Sequence, residues 1–104
     1  MKFTPQETES IANICKDLGV ANLYLFGSAL DASRFNDQSD LDFLVEFNDA
    51  QIDGRLARFT GLASALEQLL NRQVDLVSYQ AIRNPFFRQE VDSTKTRIFT
   101  LDAA

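Results

Sequence analysis

The segment from Leu23 to Phe47 constrains this chain more than any other. It opens with the apolar run Leu23-Tyr24-Leu25-Phe26, breaks at Gly27-Ser28, and closes with Asp40-Leu41-Asp42-Phe43-Leu44-Val45-Glu46-Phe47. The first run is short and apolar, as a buried strand is. Gly27 reaches backbone angles that side chains forbid, so the chain can turn sharply there. Ser28 then offers a hydroxyl and an amide at the end of that strand. In the second run Leu41, Phe43, Val45 and Phe47 share one face of a strand, and Asp42, Leu44 and Glu46 share the other with Asp40. Two ionised carboxylates side by side repel. They are relieved by protonation, a cation or a metal, and Mg²⁺ favours such oxygen ligands. A turn able to hold phosphate beside a carboxylate pair able to hold Mg²⁺ is a nucleotide site in outline.

The flanking segments supply the rest of a small domain. Thr4-Pro5-Gln6-Glu7 predicts a helix start, with Thr4 as cap, Pro5 at the first helical position and Glu7 completing a capping box. Ile11, Ile14, Cys15 and Leu18 then share an apolar face, and Gly19 ends the helix. Cys15 on that face is expected to be structural, since no basic neighbour would lower its pKa. Residues 29–39 read as a polar loop whose beginning can form a short helix facing the Gly-Ser turn. Arg34 within it is read first as a surface residue, and Asn48 to Gln51 is read as a turn or loop. Phe59, Leu62, Ala63, Leu66, Leu69 and Leu70 predict a second helix from near Gly54 to near Asn71, with Arg55 and Arg58 off its stripe. Val74 to Ser78 is a short strand. Asp75 there is informative, because an acid in an apolar strand is costly to bury unpaired. Asn84-Pro85 begins a third helix through about Val91. Thr96 to Leu101 is either a last strand or an irregular tail.

Composition narrows the function classes. A chain of 104 residues with 45% hydrophobic content is one domain, residues 1–104, with enough apolar matter for a core. No run of about 18 apolar residues is present, so no membrane helix is expected. The N-terminus lacks the apolar core of a secretory signal. The single Cys15 suits a reducing, cytoplasmic setting. A formal charge of −5 argues against broad electrostatic binding of nucleic acid. It leaves a nucleotide open, because a bound metal supplies compensating charge. With no histidine, His-based triads and the commonest zinc ligand are excluded.

Gly27-Ser28, the spacer, Asp40-Leu41-Asp42 and Asp75 in Val74-Asp75-Leu76-Val77 together resemble the DNA polymerase β-like nucleotidyltransferases. The pattern is most similar to the minimal nucleotidyltransferases that serve as antitoxins of HEPN toxin pairs. The resemblance implies a Mg²⁺-dependent transferase, with a two-metal site held by Asp40, Asp42 and Asp75 and ATP as substrate. It also implies that Gly27 and Ser28 bind the β/γ-phosphates, and that Asp75 helps bind the metal near the attacking hydroxyl and acts as its base. By the same analogy AMP passes to a tyrosine of a HEPN-type protein partner. The family often carries a basic residue just after Gly-Ser, where this chain has Ala29-Leu30-Asp31, and standing in for that residue is the alternative reading of Arg34. That departure motivates an alternative, a catalytically inactive antitoxin that neutralises its partner by binding. Transfer to a small hydroxylated molecule such as an aminoglycoside is a third reading. It ranks lower because such enzymes usually carry a second domain for the acceptor.

The expected fold is α/β: a small mixed sheet of three or four strands with helices packed mainly on one face. The nucleotide cleft of so small a domain is open on one side, so another protein is expected to supply the acceptor wall; self-association is compatible with the same logic. Phe86-Phe87 beside Pro85 cannot both enter a core from a short helix, and at least one is expected at an interface. The bland alternative packs both under the C-terminal tail.

Overall fold

A computed structural model of the chain describes residues 3–27, 40–48 and 54–101. Helix α1, Pro5–Asp17, leads to strand β1, Val20–Phe26, and β2, Leu41–Phe47, follows. Helix α2, Arg55–Leu70, crosses to β3, Val74–Ser78, and a single 3₁₀ turn, Tyr79–Ala81, leads on to helix α3, Pro85–Thr94, and β4, Thr96–Thr100. The four strands form one sheet in the order β3-β2-β1-β4. β1 runs antiparallel to both β2 and β4, while β2 and β3 are parallel. The parallel pair follows from α2, because parallel neighbours need a long crossover connection. The mixed sheet is the expected one, with Thr96–Thr100 as a true edge strand.

The local signals for α1 act as read. Thr4 Oγ1 accepts from the Glu7 N–H at 3.1 Å, and Glu7 Oε1 accepts from the Thr4 N–H at 2.8 Å. Gly19, at φ 72°, turns the chain out of the helix. β1 starts three residues earlier than the apolar run suggested. Asn22, which stands just before that run, is accommodated because its side-chain amide donates to Glu46 Oε1 across the sheet at 2.7 Å. α3 extends past Val91 to Thr94, and Ser93 and Thr94 both donate their hydroxyls back to the Glu90 carbonyl. The expectations for residues 29–39 and for the turn after Asn48 lie outside the described residues.

The sheet has two unequal faces. On one, Leu23, Leu25, Leu41, Phe43, Val45 and Phe47 pack under α1 and α2 with Ile11, Cys15, Leu62 and Leu66. On the other, Leu44 packs with Ile82 and with Val91 of α3. Helices thus cover mainly one face, and the acids of β2 belong to the thinly covered one. Arg55 stands over the Phe47 ring at 5.1 Å, at the end of β2 away from Asp42, so it is not part of the carboxylate group. Among the described residues no helix is long and apolar enough to cross a membrane.

Cys15 is fully buried, and burial pushes its thiol up to about 12. A thiolate is the reactive form. In the native protein at neutral pH, Cys15 should therefore resist a thiol reagent such as DTNB and react only as the chain unfolds in urea. Rapid labelling in buffer would show that α1 does not seal it as described.

Candidate active site

The sheet register builds the site. Asp42 is the Cα partner of Phe26 on β1 and of Asp75 on β3. Partners on adjacent strands point to the same face, and neighbouring strands lie about 4.8 Å apart. Two carboxylates from different strands are thus set side by side at the end of the sheet where β1 turns at Gly27. Asp75 is exposed and Asp42 is partly buried. Asp40 stands just before β2 and is also exposed. Ser28 lies outside the described residues.

Gly27 is required where it is. Its φ of 77° is a left-handed value that side chains rarely adopt. A Cβ there would overlap Asp42 Oδ2 and stand 3.2 Å from Asp42 Cγ. The missing side chain leaves a notch in the backbone, and the Asp42 carboxylate occupies it. The glycine that sequence reading took for a turn and a phosphate contact also seats an acid.

The structure brings together Gly27, Asp42 and Asp75. It does not gather Asp40, Asp42 and Asp75 into a ready cage: among the described residues, no group of three or more His, Cys, Asp or Glu side chains is placed to hold a metal ion. The donor chemistry still suits Mg²⁺. That ion is commonly held by one or two carboxylates plus substrate phosphates rather than by an all-protein cage. The notch at Gly27, shaped around a carboxylate, is the local feature that fits such a site.

Sequence reading missed the groups that fix α3 over this face. Tyr79 donates its hydroxyl to Asp92 Oδ1 at 2.8 Å, and Lys95 Nζ donates to the same oxygen at 2.7 Å. Lys95 and Tyr79 hold the Asp92 carboxyl below its ordinary range. The Lys95 ammonium also lies 5.0 Å from the centres of both the Tyr24 and Tyr79 rings, and the Arg88 guanidinium lies 4.4 Å from that of Tyr79. The i, i+3 spacing of Asp92 and Lys95 is the signal that could have found them, but the third helix was expected to end near Val91; the tyrosines arrive through the fold. At the other end of α3, Asn84 Oδ1 accepts from the Phe86 and Phe87 N–H groups. The Phe87 ring meets Phe26 edge-on, with centroids 6.1 Å apart. Phe86 is 80% exposed and Phe87 37%, so the two do not both enter a core, as expected.

The mixed sheet with its three helices is the fold of a minimal nucleotidyltransferase. The comparisons agree: residues 9–104 match the family model for "Polymerase beta, Nucleotidyltransferase", and the chain belongs to that family. It is 29% identical over 73 residues to a Methanocaldococcus jannaschii protein provisionally named a protein adenylyltransferase, covering 70% of this chain and 71% of that one. A solved structure provisionally named a minimal nucleotidyltransferase superposes with a TM-score of 0.72 at 30% identity, covering 88% of each chain. The fold also matches a chain in the complex of a tri-AMPylated Shewanella oneidensis HEPN toxin with its MNT antitoxin. There the TM-score is 0.62 at 22% identity, with 92% of this chain and 71% of that one covered.

The notch can be tested by stability. Gly27→Ala should cost about 1–2 kcal/mol from the left-handed backbone, plus a further penalty for displacing Asp42. In an Asp42→Ala background that further penalty should vanish, so urea unfolding of the four proteins should show coupling between the sites. Equal cost in both backgrounds would mean that the carboxylate does not sit against Gly27.

Proposed function

We propose that this chain is a Mg²⁺-dependent nucleotidyltransferase that moves AMP from ATP to a tyrosine hydroxyl of a HEPN-type protein partner, and so acts as an antitoxin. The observation that carries the reading is the register pairing of Asp42 with Asp75 beside the Gly27 notch. Family membership and the adenylyltransferase name of the Methanocaldococcus relative support the reaction class. The toxin–antitoxin complexes among the structural neighbours support the partner.

Asp42 and Asp75, with Asp40, are the residues that would hold Mg²⁺, which when bound neutralises charge on the attacking and leaving oxygens. Gly27 keeps Asp42 in place, and by the family resemblance Ser28 binds the β/γ-phosphates. In the reaction the acceptor oxygen bonds to the α-phosphorus as the bond to the bridging oxygen breaks, and pyrophosphate departs. In this reading Asp75, exposed on the edge strand, takes the proton of the acceptor hydroxyl. The hydroxyl must be held about 3–3.5 Å from phosphorus and in line with the leaving group. Among the described residues the face bearing the acids is thinly covered, and in this reading a second protein supplies that alignment.

If Asp75 acts on the attacking group, Asp75→Asn should slow AMP transfer by at least about a hundredfold, the lower range for a lost general base, while ATP affinity changes little. The assay is transfer of labelled AMP from ATP to the protein encoded by the neighbouring gene. An unchanged rate would reduce Asp75 to a solvated strand acid. Neutralisation of the partner with no labelling by the wild type would instead favour action by binding.

A further inference from the structure

The nucleotidyl-transfer reading accounts for the phosphates and leaves the base without a seat. The candidate seat is the N-terminal turn of α3. Phe26 immediately precedes Gly27 and is the Cα partner of Asp42. Its half-buried ring is braced edge-on by Phe87. Phe87 therefore stands at the lip of the carboxylate site with 37% of its surface open. Val91, one helical turn further on, is buried in the small core with Leu44, so the Phe87 side of α3 faces the sheet. Phe86, one position round the helix, points elsewhere and is 80% exposed.

We propose that Phe87, supported by Phe26, is the surface on which the base of the bound nucleoside triphosphate stacks. The proposal rests on the nucleotidyl-transfer reading of Asp42 and Asp75. A flat, uncharged ring beside a phosphate and metal site offers what a nucleobase needs, since every base has a π-face and stacking is tolerant of its identity. The ring is held before any ligand arrives. Asn84 caps the first turn, and Asp92, Lys95, Tyr79 and Tyr24 hold the far end of the helix. The helix that carries the ring is thus fixed in advance, and such preorganisation favours binding. Phe86 lacks this bracing and the contact with Phe26, so the base is assigned to Phe87.

The test compares Mg-ATP with inorganic triphosphate plus Mg²⁺, which shares the charged groups and lacks the base. Both are titrated calorimetrically into wild type, Phe87→Leu, Phe87→Tyr and Phe86→Ala, with urea midpoints confirming that each variant folds. Phe87→Leu should weaken ATP about tenfold, the loss expected for one stacked base, and leave triphosphate unchanged. Phe87→Tyr, which keeps a stacking ring, and Phe86→Ala should both bind ATP like wild type. Equal loss of both ligands on Phe87→Leu, no loss of either, or loss on Phe86→Ala instead would overturn the assignment. Unchanged ATP binding with weakened capture of the protein partner would assign Phe87 to that interface and likewise overturn it. If wild type binds neither ligand, the nucleotide reading itself fails and takes this proposal with it.

Discussion

Two carboxylates on neighbouring strands are the constraint on which this site depends. Like charges set directly opposite each other in a sheet are unfavourable. Here the sheet imposes the arrangement, because the β2–β3 register that buries Leu41, Phe43, Val74 and Leu76 against α2 also pairs Asp42 with Asp75. A slip of one residue would turn the apolar set outward, so the register that secures the core fixes the acids as well. Core packing thus holds the two acids side by side, and under the proposed function a bound cation would offset their charge.

The second element is the contrast between the two faces. α1 and α2 seal one side of the sheet, with Phe3 stacked on Phe43 at 6.3 Å closing its N-terminal corner. Among the described residues the other side carries α3, held by Val91 and by the cluster of Asp92, Lys95, Tyr79 and Tyr24. That cluster is partly exposed, so its Asp92–Lys95 ion pair is worth little in stability. Its effect is positional, since it sets the direction of α3 and with it the place of Phe87 relative to Phe26.

Much of this was legible because the relevant signals are local. Thr4 and Glu7 announce a cap, the alternation of Leu41 to Phe47 announces a strand with its acids on one side, and Gly54 and Asn71 bracket α2 as its stripe required. The candidate acids could be named for the same reason. What could not be read was relative placement. Nothing in the sequence around Gly27 says that its missing Cβ makes room for an acid fifteen residues on, because that contact depends on strand register. Nor does the Asp92–Lys95 pair reveal that Tyr24 and Tyr79 will close around it. Phe86 and Phe87 were legible as a pair that cannot both be buried, but which of the two leans on Phe26 depends on the rotation of α3, set by Val91.

The central claim is that Asp42, seated at Gly27 and paired with Asp75, makes nucleotide binding dependent on a divalent cation. Calorimetric titration of ATP into wild type and Asp42→Asn, each with Mg²⁺ and with EDTA, tests it most directly. The account predicts that wild type gains affinity with Mg²⁺, and that the folded variant, confirmed by its urea midpoint, shows no such gain. Equal Mg²⁺-dependent affinity in the two proteins would contradict it.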